Sequence, residues 1–237
     1  MGKILTLARR ELTAYFFSPI AYIIGAGFLL LAAGWFFINI RIGGEASLRP
    51  LFDGMAVIMV LAVPLLTMGL LSREFDRGTI ETLMTSPITD TEVILGKFVG
   101  VMAFYVALLA TTLTFLGLMV AYGRPDPGVA LAGYLGMVLL GAAYVSVGIF
   151  ASTLTRHQIV SAIVAIAILA LFVVVMGLVV RLGVRPWADL ANHLNAMRYF
   201  RDFSRGVLDS RGLIYFVSAT GLFLFLSVKT LESRRWR

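Results

Sequence analysis

The stretch IAYIIGAGFLLLAAGWFFINI, from Ile20 to Ile40, contains no charged side chain. A helix of about twenty residues rises roughly 30 Å, which matches the hydrocarbon core of a bilayer. A β-strand is excluded here because its backbone N–H and C=O groups would have no partners in lipid. The stretch therefore predicts a membrane-spanning α-helix.

Five more apolar runs of similar length follow, and their apolar stretches contain no Asp, Glu, Lys, Arg or His. Of all residues, 59% are hydrophobic and 14% are charged, whereas about 25% are charged in soluble domains. The pattern predicts an all-α integral membrane protein in which residues 1–237 form a single transmembrane domain. The predicted spans cover residues 20–40, 54–72, 98–122, 129–154, 159–180 and 212–228.

The sequence lacks the residues of several common catalytic and binding sites. It contains no cysteine, and its two histidines, His157 and His193, are far apart in the chain, which argues against disulfides, thiolate catalysis and metal sites. No G-x-x-x-x-G-K-[ST], H-E-x-x-H or G-x-S-x-G pattern occurs, so a phosphate-binding loop and those hydrolase sites are not expected. We therefore expect no enzyme activity, metal or cofactor in this chain.

The net charge and the positions of the charged residues indicate which classes of binding partner to expect. The net charge is +7, and most of the positive charge lies beside the spans, as is typical of contact with lipid headgroups. Nucleic acid is therefore not an expected partner. The absence of ionisable side chains from the apolar stretches also weighs against an ion-coupled carrier.

Three segments outside the spans have their own patterns. In residues 3–17, apolar side chains recur at helical spacing and Arg9, Arg10 and Glu11 occupy other faces. This pattern predicts an amphipathic helix at the membrane surface. Ser18-Pro19 is expected to end it before the first span.

The second segment, residues 73–97, is acidic on balance. Ile80, Leu83 and Met84 share one helical face, and Pro87 and Asp90 are expected to interrupt that helix. Thr91 is expected to open a second short helix. An acidic loop is better explained by docking to a protein than by attraction to lipid, although a solvated hairpin between two spans is the alternative.

The third segment, residues 181–211, carries an apolar stripe at spacings of three and four. The pattern predicts an amphipathic external helix that lies on the membrane surface or covers the spans. A simple surface connector is the alternative. The stripe consists of Trp187, Leu190, Leu194, Met197 and Phe200.

Small residues are frequent in the first and fourth predicted spans. Gly133, Gly136, Gly141 and Gly148 lie in the fourth span, and Gly25, Gly27 and Gly34 lie in the first. Small residues allow helices to approach closely. Packing within one chain and a dimer interface both remain possible at this point.

The second segment also carries a family pattern. Glu74-x-x-x-Gly78-Thr79-x-Glu81-x-Leu83-x-x-x-Pro87, followed by Gly96-Lys97, resembles the cytoplasmic loop of ABC-2-type transporter permeases. The opening RRELTAYFFSPIAYII and the tail from residue 206 onward resemble the gliding-motility and nitrous-oxide-reductase-maturation branch of that family. The resemblance covers nearly the whole chain in order.

The resemblance implies six spans, an N-terminal interface helix, a cytoplasmic coupling helix between spans two and three, and external helical elements between spans five and six. It implies a multi-pass protein of the cytoplasmic (inner) membrane with both termini in the cytoplasm. The implied partners are two copies of an ABC-type ATPase subunit, a second permease chain (identical or related), and the lipid bilayer. A periplasmic or accessory membrane partner is also possible. ATP and Mg would be bound by the ATPase, and no cofactor by this chain.

Residue roles follow from the same resemblance. Gly78 and Thr79 would shape the start of the coupling helix, Glu81 and Leu83 would face the ATPase groove or brace the helix, and Pro87 would end it. Arg73 and Arg77 would pair with acidic groups of the ATPase. The full set implied in ATPase coupling is Arg73, Glu74, Arg77, Gly78, Thr79, Glu81, Leu83 and Pro87.

The resulting function hypothesis is the permease subunit of an ATP-driven exporter or extractor. The alternative is a membrane scaffold that transmits ATPase-driven motion to a periplasmic partner without transport. A gradient-driven carrier is a third class, and it would act without an ATPase.

Overall fold

The computed structural model describes residues 2–43, 48–78, 88–122, 126–183 and 187–235. Within these ranges the regular structure is helical and contains no β-strand. The chain is therefore an all-α protein, as the apolar runs predicted.

The helices are labelled in chain order. They are α1 (Gly2–Phe16), α2 (Pro19–Gly43), α3 (Arg49–Thr67), α4 (Ser72–Asp76), α5 (Asp90–Thr111), α6 (Leu113–Tyr122), α7 (Pro127–Leu154), α8 (Gln158–Ala170), α9 (Met176–Leu182), α10 (Trp187–Leu194), α11 (Ala196–Ser204) and α12 (Ser210–Arg235). A π-helical turn, Leu171–Val175, joins α8 to α9.

Six helical stretches in the described residues are long and apolar enough to cross a membrane. They confirm the predicted number of spans. Because an even number of crossings returns the chain to its starting side, both ends of the described chain lie on one side, here called the terminal side. Spans one to six are Pro19–Asn39, Arg49–Asp76, Asp90–Ala121, Pro127–Leu154, Gln158–Leu182 and Ser210–Arg234.

Span four forms the centre of the bundle. It packs against spans two, three, five and six, and 72% of its most apolar window is buried, compared with 17% in spans five and six. Spans five and six both lie against span four. Spans one, five and six consequently present most of their apolar surface outward, toward lipid or another chain.

The glycines of span four pack within this chain. An ideal Cβ on Gly133 would collide with the Phe52 ring, and one on Gly148 would collide with the Thr67 side chain of span two. Gly141 is closed off in the same way by the Tyr105 ring. In span one, by contrast, a Cβ on Gly27 or Gly34 would meet no atom within 4 Å. Intrachain packing thus accounts for the small residues of span four.

Span three begins earlier than the sequence pattern suggested, and the prediction of a separate short helix at Thr91 is wrong. The helix starts at Asp90 and continues into the membrane. Thr89 is its N-cap: its side chain accepts a hydrogen bond from the Glu92 N–H, and the Glu92 carboxylate accepts one from the Thr89 N–H. This reciprocal capping box makes Thr89 a better helix start than Thr91.

The external segment is also divided differently from the prediction. It folds as two helices, α10 and α11, and not as one continuous helix. Asn195 lies between them, where its side chain accepts a hydrogen bond from the Met197 N–H and caps α11. A good capping residue in the middle of the apolar stripe therefore breaks the helix.

Candidate functional site

On the terminal side, α1 lies along the first half of span three. Two glycines of span three make this contact close. An ideal Cβ on Gly96 would lie 2.7 Å from the Leu7 Cβ, and one on Gly100 would lie 2.9 Å from the Ala8 carbonyl oxygen. The apolar face predicted to contact lipid is partly buried against protein, because Leu7 and Ala8 are both buried.

We expect Gly100→Ala to loosen α1. The added methyl group would press on the Ala8 backbone, and such overpacking costs about 1–3 kcal/mol. Hydrogen–deuterium exchange of the α1 amides should therefore accelerate, because α1 would open more often. Gly117→Ala is the matched control, since a Cβ there meets no atom within 4 Å. Equal exchange in both variants would contradict the close contact.

A buried lysine joins three elements at this place. The Lys97 ammonium group donates to Glu11 Oε1 at 2.8 Å and to Glu74 Oε1 at 2.7 Å. The Lys97 side chain is 2% exposed, and the two carboxylates are 16% and 20% exposed. Lysine is almost never this buried unless it is paired. The three residues, called here the Lys97 bridge, link α1, the end of span two and the start of span three.

Arg73 makes a second link beside the Lys97 bridge. Its guanidinium donates to Gln158 Oε1 at 3.3 Å, which connects the end of span two to the start of span five. Arg73 also borders a cavity of about 80 Å³ that is lined by Glu11 and Tyr15 as well. The end of span two is thus tied to spans three and five.

Tyr15 anchors the end of α1. Its hydroxyl donates to the Leu66 carbonyl at 2.7 Å, and its ring stacks on Phe104 with centroids 5.1 Å apart. Burial raises the pKa of Tyr15 above its usual value, and the nearby Glu11 carboxylate raises the pKa further. The phenol therefore stays protonated and remains a donor at physiological pH.

The far end of span six is held at the same side. Arg234 donates to the Leu154 carbonyl at 2.6 Å, and its guanidinium lies 4.5 Å from the Phe75 ring centroid. These contacts connect span six to the end of span four and to α4. With the Lys97 bridge and Arg73, they bring the terminal-side ends of spans two to six into one network.

The coupling residues expected from the sequence fall into three groups. Arg73 and Glu74 lie inside the network, and Arg77 and Gly78 follow on the exposed surface. Gly78 has a φ of 68°, a left-handed conformation that favours glycine. Thr79, Glu81, Leu83 and Pro87 lie outside the described residues.

The residues predicted for the interface helix and for the external helix lie on opposite sides of the protein. Arg9 and Arg10 are exposed on α1, while Glu11 joins the Lys97 bridge. On the opposite side, Trp187 and Leu190 are exposed. Leu194 and Met197 are half-buried, and Phe200, which belongs to α11, is fully buried.

Sequence reasoning missed the role of Lys97 and the partnership of Gln158. Lys97 was noted only as part of a family pattern. The burial of Lys97 could have been inferred from its position in the sequence. It lies directly before an uninterrupted apolar stretch and within a helix that starts at the Thr89 capping box. Among the described residues no group of His, Cys, Asp or Glu is arranged to hold a metal ion. The contacts described above hold the terminal-side ends of spans two to six together.

Comparison with known proteins adds independent information. The family model "ABC-2 family transporter protein" matches residues 8–228. YbhR of Escherichia coli K12, described as a "Probable multidrug ABC transporter permease", is 27% identical over 153 residues, which are 64% of this chain and 41% of the relative. YbhS, with the same description, is 32% identical over 46% of this chain and 29% of the relative.

A third relative, YhhJ of E. coli K12, is described as an "Inner membrane transport permease". It is 31% identical over 51% of this chain and 33% of the relative. The alignments thus span between 29% and 41% of the length of these curated relatives.

Proposed function

The chain belongs to the ABC-2 transporter family, and from this premise we propose that it is the permease subunit of an ATP-binding-cassette transporter. Separate ATPase subunits would hydrolyse ATP, and this chain would convert their movement into export or extraction of a substrate. The Lys97 bridge is the observation that carries the mechanical part of the proposal. It fastens the segment that precedes residues 79–87 to two other helices.

The partners follow from the same proposal. Two ATPase copies would bind ATP and Mg, because this chain has no phosphate-binding loop. A second permease chain, identical or related, would complete the membrane domain. Spans one and five carry many exposed apolar side chains, which such a chain or lipid would cover. An accessory periplasmic partner is part of the proposal as well.

The proposed orientation places the terminal side in the cytoplasm, in a protein of the inner membrane. Lysines and arginines near both ends of the chain favour this orientation. The Lys97 bridge would then face the ATPase, and α10 and α11 would lie on the periplasmic side.

In the proposed mechanism, an ATPase contacts residues 73–97 and pushes on them as it binds and hydrolyses ATP. Glu74 would transmit this push to span three through Lys97, and Arg73 would transmit it to span five through Gln158. Because Lys97 pairs with both Glu11 and Glu74, displacing α1, the end of span two or the start of span three alone would separate opposite charges at low exposure, and the Arg73–Gln158 hydrogen bond would resist displacement of span five. The helix ends would therefore move together.

YbhR and YbhS are described as probable multidrug ABC transporter permeases, and we accordingly include drugs among the substrates proposed for this chain. The likeness of the opening and tail to the gliding-motility and nitrous-oxide-reductase-maturation branch is a finer part of the proposal.

A pull-down tests the proposed coupling. The tagged chain is purified in mild detergent as wild type, Glu81→Arg and Leu83→Asp, and the co-eluting material is assayed for ATPase activity. We expect an ATPase subunit to co-elute with wild type and to be lost, or to lose its coupled activity, in both variants. Asp189→Arg and Leu190→Asp are the matched controls, because these residues lie exposed on the opposite side.

Two results would count against the proposal. If wild type brings down no nucleotide-binding partner, the ATP-driven reading loses its support and a gradient-driven carrier becomes the better hypothesis. If the control variants weaken the complex as much as the loop variants, residues 73–97 are not the docking site. An ATPase that binds and cycles without any cargo movement in vesicles would favour the scaffold alternative.

A further inference from the structure

A cleft of about 570 Å³ opens on the opposite side, between spans one, two and five and the helices α10 and α11. Its volume falls within the roughly 300–1,000 Å³ that is usual for ligand sites. None of the residues assigned to ATPase coupling lines it. The cleft therefore needs an explanation of its own.

One wall of the cleft contains an acidic side chain near the N-terminal end of span two. Asp53 is half-buried, and its Oδ1 is buried without a hydrogen-bond partner among the described residues. The Ser204 hydroxyl lies within hydrogen-bonding reach of the carboxylate, and Arg201 of α11 and Arg205 of the turn after it place positive charge nearby. No salt bridge found in the described part of the chain includes Asp53. A buried carboxylate oxygen in this state is costly unless something else donates to it.

The same cleft contains two guanidinium groups. Arg181 lies in the last turn of span five, and Arg201 lies on α11 with its Nε donating to the Met197 carbonyl at 3.2 Å. Both side chains are exposed and line the cleft. Arginine side chains are suited to binding phosphate, because their N–H groups form paired, charge-assisted hydrogen bonds with its oxygens.

Asn192 and Asn195 also border the cleft, and a further part of its wall is apolar. Val57 of span two and Val173, Val174 and Leu178 of the span-five region line this part. Trp35 closes the cleft beside Asp53, and its indole N–H is already used by the Pro50 carbonyl at 2.7 Å. The cleft thus has a charged end at headgroup level and an apolar end toward the bilayer interior.

We propose that this cleft binds a phospholipid whose headgroup carries both a phosphate and a primary amine, as in phosphatidylethanolamine. The ammonium group would donate to the unpaired oxygen of Asp53, the phosphate would accept from Arg181 and Arg201, and an acyl chain would lie along the valines. An anionic lipid without an amine would bring no positive charge to Asp53 and would add negative charge beside it. A cationic amphiphile would leave both arginines without an anion.

The test uses the full purified chain in detergent, without any ATPase. It is incubated with equal amounts of phosphatidylethanolamine, phosphatidylcholine and phosphatidylglycerol with identical acyl chains, and the retained lipids are counted by native mass spectrometry. We expect phosphatidylethanolamine to be retained about fivefold or more over the other two, which is the effect of one additional hydrogen bond. Phosphatidylcholine is the critical comparison, because its quaternary amine has no N–H to donate.

Variants then locate the site. Asp53→Asn should remove the preference for phosphatidylethanolamine over phosphatidylglycerol, and Arg201→Gln should weaken retention of both. Asp189→Asn and Arg198→Gln are the matched controls, because they lie on the same two external helices but do not line the cleft. Both controls should behave as wild type.

Equal retention of the three lipids by wild type would overturn the proposal, and so would a preference for phosphatidylglycerol. Retention that falls equally in the control variants would show only a general effect of surface charge. The wild-type comparison stands even if a variant does not fold. Because no ATPase takes part, the outcome is separate from that of the coupling experiment.

Discussion

Lys97→Met is expected to destabilise the protein by about 3 kcal/mol, near the lower end of the range for breaking a buried ion pair. The substitution would leave Glu11 and Glu74 close together without the ammonium group that both contact. Their partial exposure lets water offset some of the repulsion, which is why the lower end applies. The apparent midpoint of thermal denaturation in mild detergent is the measurement.

Two comparisons make the Lys97 result specific. Lys229→Met removes a lysine from an exposed pair with Glu232, whose side chains are 56% and 40% exposed, and should change stability by no more than about 0.5 kcal/mol. The triple variant Lys97→Met, Glu11→Gln, Glu74→Gln should recover most of the loss, because no unpaired charge remains. If Lys97→Met and Lys229→Met have equal midpoints, the bridge contributes nothing to stability.

Gly148→Val is expected to disrupt the packing of spans two and four, with a cost of about 3 kcal/mol or more. Already the first added carbon would overlap the Thr67 side chain. Thr67 is fully buried and donates to the Val63 carbonyl at 2.9 Å, so moving its side chain would break that hydrogen bond or displace its neighbours. We expect poor accumulation and a broad gel-filtration profile.

Gly27→Val and Gly34→Val are the controls for that experiment. Both glycines lie in the membrane on span one, and an added Cβ there meets no atom within 4 Å. Their monomer stability should change by less than about 1 kcal/mol. A gel-filtration profile of Gly148→Val that matches wild type would show that spans two and four are not in close contact. Loss of dimer in the span-one variants, with an intact monomer, would place a second chain on that face.

The two strongest predictions concern different parts of one mechanical unit. Gly148 lets span two lie directly on the central span, and the Lys97 bridge fastens the end of span two to α1 and span three. A push on residues 73–97 would thus act on a span that is packed tightly along its length and ionically held at its end. This combination is what the proposed transmission of ATPase movement requires.

Parts of this arrangement could be predicted from residues close together in sequence. The capping box of Thr89 and Glu92 is recognisable in the sequence as T-x-x-E, although the helix start was predicted at Thr91. Asn195 was likewise a recognisable helix cap within the external stripe. The apolar stripe continues past Asn195, so periodicity alone predicts one helix there, whereas the prediction of Thr91 as a cap overlooked that only Thr89 has a Glu three residues later.

The Lys97 bridge and the cleft that contains Asp53 could not be predicted from residues close together in sequence. Lys97 is 86 residues from Glu11 and 23 residues from Glu74, and no local pattern pairs them. Asp53 lies directly before the apolar stretch of span two, so a reading of apolar stretches alone placed it outside the membrane. Its unpaired oxygen is evident only once α11 is packed beside it.

The sequence by itself determined that the chain crosses the membrane six times as helices, because lipid requires long apolar runs with internally paired backbone groups. It also determined which segments outside the spans are amphipathic. The tertiary structure alone decided which spans are neighbours, which glycines are contact points and which charges meet. Hydrophobicity fixes the depth of a residue in the bilayer, whereas these contacts depend on how side chains of distant helices fit against one another.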